Sequence, residues 1–128
     1  MRKADLAYTA GIIDGEGCIG LTHRNNGYDN CYRYYLQITN SSLELLEWIL
    51  DRLGGRIRLM HHSTYALEWQ NKGDISTVLE MIKDFMIVKR EEAEAMIDFC
   101  HTPSQNTEDR AMQMILITSS KKTSRRRE

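Results

Sequence analysis

The stretch 6–17 constrains the fold of this chain more than any other part of its sequence. Its apolar residues Leu6, Ala10 and Ile13 recur at helical spacing, which predicts a helix that buries them. Asp5 stands just before this run, where a side chain that caps the helix is expected. The stretch therefore predicts a helix near the N-terminus that runs to about residue 14.

A second face of this predicted helix carries only small residues. Ala7, Gly11 and Gly15 lie four residues apart and share one face. A glycine costs about 1 kcal/mol of helix stability relative to alanine, so two in one stripe indicate that another backbone comes very close. Asp14 and Glu16 place negative charge at the helix C-terminus, which the helix dipole disfavours. A segment that breaks local rules in this way is where a functional site is expected.

Residues 9–17 read Thr-Ala-Gly-Ile-Ile-Asp-Gly-Glu-Gly. This segment resembles the nine-residue motif of the LAGLIDADG homing endonucleases, with mild departures at Ile12, Gly15 and Glu16. Because short motifs also match by chance, the rest of the chain has to agree with the family's fold. The residues that agree with the motif letter for letter are Ala10, Gly11, Ile13, Asp14 and Gly17.

The rest of the chain predicts an α+β domain with the element order αββαββαα. Alternating apolar and polar residues predict two hairpins, over 18–39 and 55–70, the second with its turn near His62 and Ser63. Further helices are predicted after a capping box of Ser41 and Glu44, over 75–86 with Asp74 as cap, from Lys89, and over 107–118. Strands that all lie in hairpins predict an antiparallel sheet with helices on one face. The LAGLIDADG resemblance, which extends to about residue 100, implies the same unit with a concave, DNA-reading face.

The composition predicts one domain, 1–118, followed by a basic tail, 119–128, that we expect to be disordered. Hydrophobic residues make up 41% of the chain, which is too many for a disordered protein. The chain contains no run of 18 apolar residues, so no membrane span is predicted. No secretory signal is visible either, and we therefore expect an intracellular protein. Three cysteines without a pairing pattern indicate reduced thiols. The adjacent His61 and His62 lack the spacing of zinc ligands.

The distribution of charge is more informative than the total. A net charge of −1 argues weakly against a nucleic-acid-binding protein. The two predicted hairpins, however, hold four arginines against Asp29 and Glu68, and the tail adds five basic residues against Glu128. This pattern would suit a protein that lays its sheet on a polyanion. Ordinary solvated surfaces explain the same charges equally well.

The LAGLIDADG resemblance implies a homodimer, because the chain carries one copy of the motif. Family members of this type pack their two motif helices at a two-fold axis, where the same small patch repeats from both sides. By this resemblance the interface would contain Ala7, Gly11, Ile12 and Gly15.

The resemblance also implies a metal-dependent active site. Glu16 and the backbone carbonyl of Gly15 would bind metal, and hard oxygen ligands favour Mg²⁺, with Mn²⁺ or Ca²⁺ able to occupy the site. Asn40 and Lys89 resemble the family's supporting catalytic residues. Glu16 as a turn residue, Asn40 as a helix N-cap and Lys89 as a surface charge are the simpler alternatives.

The polar face of the sheet is predicted to read double-stranded DNA. A β-ribbon fits the major groove, where arginine favours guanine, glutamine favours adenine, and glutamate accepts from cytosine. The outward residues are Thr22, Arg24, Asn26, Arg33, Tyr35, Gln37, Arg56, Arg58, Thr64, Ala66 and Glu68.

The LAGLIDADG resemblance therefore implies a homodimeric, metal-dependent, site-specific DNA endonuclease of the homing type, encoded by a mobile element such as an intron. It would make a double-strand break in a long, pseudo-palindromic target. Two alternatives stay open. One is a cleavage-inactive protein on the same scaffold, either an RNA-splicing maturase or a DNA-binding regulator. The other is a protein-interaction module, whose binding to DNA would be absent or insensitive to salt.

Overall fold

A computed structural model of the chain describes residues 1–25 and 30–101, with side chains for 1–21 and 34–101. The predicted helix over 107–118 and the basic tail lie outside the described residues.

The described residues form four α-helices, four β-strands and one 3-10 turn in the predicted order. Their bounds are α1 Lys3–Glu16, β1 Gly17–Asn25, β2 Asn30–Asn40, α2 Leu43–Leu53, β3 Arg56–Leu59, β4 Tyr65–Trp69, α3 Lys72–Ile82, the 3-10 turn Lys83–Phe85, and α4 Arg90–His101.

The four strands make one antiparallel sheet in the order β1-β2-β4-β3. Each predicted hairpin forms, and the pairing of β2 with β4 joins the two hairpins, with Leu36 opposite Trp69. The turn of the second hairpin lies where it was predicted, because His62 and Ser63 both have positive φ angles, 56° and 62°. The predicted antiparallel α+β fold is therefore confirmed.

The core lies between the helices and one face of the sheet. Residues at alternating strand positions, including Ile19, Leu36, Ile38 and Leu67, are fully or almost fully buried in one hydrophobic cluster. Helices α1 to α4 all contribute to that cluster, so the opposite face of the sheet has no helical cover among the described residues. No helix in the described part of the chain has the length and apolar character needed to cross a bilayer.

The first two helices begin differently from the sequence-based expectation. Asp5 lies inside α1, which starts after Arg2 without a side-chain cap. The N-cap of α2 is Ser42 rather than Ser41, because the Ser42 hydroxyl accepts a hydrogen bond from Leu45 N at 3.3 Å. Neighbouring serines give the same sequence signal, and only the direction of the incoming chain selects one of them.

The third helix is displaced toward the N-terminus. Asn71, rather than Asp74, caps α3, since its side chain accepts hydrogen bonds from Gly73 N and Asp74 N. The helix ends at Ile82 rather than at residue 86, and Phe85 beyond its end is 37% exposed. Met86 is buried instead, with 3% exposure.

Candidate active site and nucleic-acid interface

Helix α1 has a buried face and an exposed face of small residues. Thr9, Ala10 and Ile13 are completely buried against the core. Ala7, Gly11 and Gly15 are exposed, which leaves this face open to another chain, and Ile12 beside them is half-buried. A Cβ atom added at Gly11 or Gly15 would meet no atom within 4 Å. Nothing within the described chain therefore requires these two glycines.

Gly17 is required by the junction between α1 and β1. A Cβ atom at this position would lie 2.7 Å from the backbone oxygen of Ile13. Gly17 N donates to that same oxygen and closes the last turn of the helix. The glycine thus lets the chain leave the helix and enter the strand directly after Glu16.

Glu16 is held by Asn40 at the exposed end of α1. Asn40 Nδ2 donates to Glu16 Oε2 at 2.6 Å, and Asn40 Oδ1 accepts from Ser42 N at 2.8 Å. The amide therefore links the Glu16 carboxylate to the residue that caps α2. These bonds bring together two of the three predicted catalytic residues, whose functional roles remain predictions.

Asp14 makes the link between α1 and the segment that leads into α4. Its carboxylate accepts hydrogen bonds from the backbone N–H groups of Ile87, Val88 and Lys89 at 2.6, 3.2 and 2.9 Å. Successive N–H groups of this kind form an anion-binding concavity. Burial alone would raise the pKa of Asp14, but these bonds, together with the charge of Lys89, outweigh burial and lower the pKa.

Lys89, the third predicted catalytic residue, contacts the same end of the helix. Its Nζ donates to the backbone oxygen of Asp14 at 2.5 Å, and the residue is 5% exposed. The positive charge lies at the C-terminus of α1, where the helix dipole favours it. No sequence signal joins residues separated by 75 positions.

The donors at the end of α1 suit a divalent cation but do not complete a metal site in the part of the chain that the structure describes. The exposed Glu16 carboxylate is a hard oxygen ligand, and the carbonyl of Gly15 lies in the last helical turn, where carbonyls lack helical partners. Among the described residues there is no cluster of three or more histidine, cysteine or acidic side chains that could hold a metal. Further ligands would have to come from outside these residues, for example from DNA, water or a second chain.

The sheet face away from the helices carries exposed arginines. Arg56 and Arg58 are exposed, and Tyr35, Gln37 and Thr64 are half-buried. Thr22, Arg24 and Arg33 lie in β1 and β2, but only their backbone is described, and Asn26 lies outside the described residues.

Two residues of the predicted DNA-reading set do not present free side chains. Ala66 is completely buried, which argues against the predicted contact between its side chain and DNA. Glu68 is 8% exposed, and its carboxylate accepts a hydrogen bond from Arg58 Nε at 2.5 Å. The alternation of β4 placed both residues on the correct face. It did not show how far their neighbours cover them, because that depends on the adjoining strands.

Tyr35 lies across Gly20 on the neighbouring strand. The two residues are directly opposite in the β1–β2 register, and a Cβ atom at Gly20 would collide with the Tyr35 phenol. Burial, with a smaller contribution from the thiol of Cys18, raises the pKa of Tyr35 to about 12. The raised pKa extends the range over which the hydroxyl stays protonated further into alkaline pH.

Comparison of the chain with protein-family models and with solved structures identifies its family. Its fold is shared with solved homing endonucleases, and its first helix ends in a carboxylate after the motif glycines. A family model described as LAGLIDADG endonuclease matches residues 9–103. The chain therefore belongs to the LAGLIDADG endonuclease family, as the motif and the element order predicted. A comparison with curated protein sequences finds no match.

Three solved structures illustrate the likeness in fold. The homing endonuclease I-CvuI, in complex with a DNA target, is 20% identical, with a TM-score of 0.78 over 94% of this chain and 82% of that chain. The archaeal intron-encoded homing endonuclease I-Vdi141I, complexed with DNA, is 21% identical, with a TM-score of 0.80 over 92% of this chain and 84% of that chain. I-SmaMI, bound to an uncleaved DNA target, is 17% identical, with a TM-score of 0.72 over 86% of this chain and 42% of that chain.

Proposed function

We propose that this protein is a site-specific DNA endonuclease that acts as a homodimer and makes a metal-dependent double-strand break in a long, pseudo-palindromic target. The proposal rests on the arrangement of residues at the end of α1. There an exposed carboxylate, Glu16, is held by Asn40 beside a helix face whose glycines are not required by any contact among the described residues. Residues of the same helix would thus contribute to both cleavage and dimerisation.

A second copy of the chain explains the exposed face of α1. Two such helices could cross closely, because Ala7, Gly11 and Gly15 project little or no side chain. Asp14 holds the segment at Ile87 and Val88 near the end of this face, and their side chains are 88% and 48% exposed. A partner packed there would also cover these apolar side chains. Two-fold packing would bring two Glu16 carboxylates near one scissile region.

The residues that meet at the end of α1 have different roles in the proposed reaction. Glu16 would bind a divalent cation with the carbonyl of Gly15, and such a cation supplies a water of lowered pKa and charge stabilisation at the phosphate. Asn40 orients the Glu16 carboxylate through Nδ2. Lys89 adds positive charge at the helix end and holds the chain that contains Glu16 through the Asp14 carbonyl. Mg²⁺ is the proposed ion, with Mn²⁺ or Ca²⁺ as substitutes.

The uncovered sheet face would supply recognition. Its exposed Arg56 and Arg58, with Gln37 on the neighbouring strand, offer donors for base edges and phosphates. A homing-type enzyme acts on genomic DNA, so we propose an intracellular location and a mobile-element origin.

The test begins with selection of bound sequences from randomised duplex DNA, followed by a cleavage assay on those sequences with Mg²⁺. Glu16→Gln should lower cleavage by at least about a hundredfold, because the amide is a weaker ligand, while DNA affinity changes little. Glu47→Gln removes an exposed acid from α2 and is the matched control, expected to cut like the wild-type protein.

Undiminished cutting by Glu16→Gln would refute the proposed role of this residue. Tight binding to selected DNA without cutting by the wild-type protein, under any divalent ion, would instead support a cleavage-inactive regulator. Selective binding to RNA would support a maturase.

A further inference from the structure

We propose that Glu68 is a positioning residue that orients Arg58 to read one guanine in the major groove. The inference rests on the proposed function, because it requires that this face of the sheet bind DNA. It changes the role assigned to Glu68 from a direct base contact to support of a neighbouring side chain.

The register of β3 and β4 places the two residues diagonally on one face. Arg58 is directly opposite Ala66, and Glu68 lies two residues further along β4. Diagonal neighbours of this kind are within reach of long side chains. Ala66 presents only a methyl group, so the arginine can run along the neighbouring strand to Glu68. The Arg58 Nε to Glu68 Oε1 distance is 2.5 Å.

The exposure of the two side chains assigns their roles. The side chain of Glu68 is 8% exposed, whereas that of Arg58 is 47% exposed. The carboxylate is therefore covered and the guanidinium faces outward. A nearly buried acid cannot reach a base edge without leaving its partner, and an unpaired buried charge is strongly unfavourable.

The hydrogen bond leaves the reading edge of the arginine available. A guanidinium has five N–H donors in a rigid plane, and Glu68 engages the one on Nε. Within the part of the chain whose side chains are described, the two terminal nitrogens of Arg58 have no other partner. Two parallel donors match O6 and N7 of guanine. Because Glu68 fixes the plane, the loss of side-chain freedom on binding DNA is smaller.

Glu68 also contributes to specificity through its charge. A carboxylate facing DNA without a partner would repel phosphates, whereas the pair that Glu68 forms with Arg58 is neutral. Removing Glu68 would free the arginine to follow any nearby phosphate. Binding would then become less dependent on sequence without becoming weaker.

The experiment measures base preference rather than cleavage. Randomised duplex DNA is selected on the full chain in a Glu16→Gln background, which keeps the DNA intact. Glu68→Gln, Arg58→Lys and the control Glu47→Gln are then compared with that parent protein. Guanine preference at one position of each half-site should fall at least about fivefold in both Glu68→Gln and Arg58→Lys, since a lysine cannot make the bidentate contact. Affinity of Glu68→Gln for non-specific DNA should be equal or higher, and Glu47→Gln should match the parent.

If Glu68 only stabilised the fold, Glu68→Gln would lower the affinity for all DNA sequences. Thermal unfolding of each variant is therefore measured as well. An unchanged base profile in Glu68→Gln would overturn the inference, as would losses at different positions in the two variants. In both cases the parent still selects DNA, so the proposed function stands. If the parent selects no DNA sequence, the proposed function and this inference both fail.

Discussion

At the residue scale, Asp14 shows how one carboxylate can join two distant parts of a chain. It accepts three backbone N–H bonds from the segment before α4, while its own carbonyl accepts from Lys89 Nζ. In both kinds of contact Asp14 is the acceptor: backbone N–H groups donate to its carboxylate, and a lysine side chain donates to its carbonyl. The end of α1, which carries Glu16, is therefore fixed by Asp14 on one side and by Asn40 on the other.

The lowered pKa of Asp14 makes this link dependent on pH. A group whose pKa is lower in the folded state stabilises the fold above its unfolded pKa, about 3.9 for aspartate. That stabilisation is lost as the pH falls through the lower folded value. The link should therefore be complete at neutral pH and weaken only in acid.

Asp14→Asn should lower the free energy of unfolding at pH 7 by about 1–2 kcal/mol, because the amide loses the charge and one acceptor oxygen. The difference from the wild-type protein should shrink as the pH is lowered below about 4, where the wild-type carboxylate becomes protonated. Urea unfolding of both proteins at several pH values measures this difference in the free energy of unfolding. Asp51→Asn, at an exposed position of α2, is the control. A variant as stable as the wild-type protein at pH 7 would contradict this account.

At the element scale, α1 combines three requirements in one helix. One face is buried by Thr9, Ala10 and Ile13, a second is exposed and built of small residues, and the end carries the candidate site. Helix stability alone would favour alanine over glycine on the exposed face. No contact among the described residues accounts for the glycines, and the proposed homodimer would supply one.

Gly11→Val should convert a dimer into a monomer, because two valines would enter a seam that requires closely spaced backbones. The monomer itself should fold normally, since a Cβ atom at this position meets nothing within 4 Å. Sedimentation measures the mass, and circular dichroism measures the helix content. Glu47→Val places the same side chain on an exposed part of α2 and should leave the mass unchanged. A Gly11→Val protein that sediments as a dimer would show that the seam lies elsewhere.

At the scale of the whole molecule, positive charge is concentrated on one surface more than the net charge of the chain suggests. The chain has a net charge of −1, yet the sheet face without helices carries exposed Arg56 and Arg58. Basic residues in contact with phosphates make DNA affinity fall linearly with the logarithm of salt concentration. A nearly neutral protein can therefore still bind DNA with a steep salt dependence.

Arg56→Gln should reduce the slope of log affinity against log salt by about one phosphate contact, roughly 0.9. Lys83→Gln changes the same charge within the helical layer, in the 3-10 turn after α3, and should leave the slope unchanged. Titration of a selected duplex at several salt concentrations gives both values. Equal slopes for Arg56→Gln and the wild-type protein would show that Arg56 is not at the DNA interface.

Periodicity along the chain was enough to predict the order of the elements, the buried stripes and the two faces of the sheet. Core residues recur at helical spacing within each helix, and Leu36 and Ile38 alternate along a strand. The helical pairs, each three positions apart, are Ala10 and Ile13, Leu46 and Ile49, and Leu79 and Ile82. These patterns depend on residues a few positions apart, so they can be read without knowing the fold. The motif added the family and with it the candidate catalytic glutamate.

Only the tertiary structure decided which side chains meet. The bonds from Asp14 to residues 87–89, from Asn40 to Glu16 and from Arg58 to Glu68 span 73 to 75, 24 and 10 positions. The burial of Ala66 likewise depends on its surroundings rather than on its own strand. A hydrogen bond or a covered surface depends on which segments become neighbours in space. The sequence determined the faces of each element, and packing determined what each face touches.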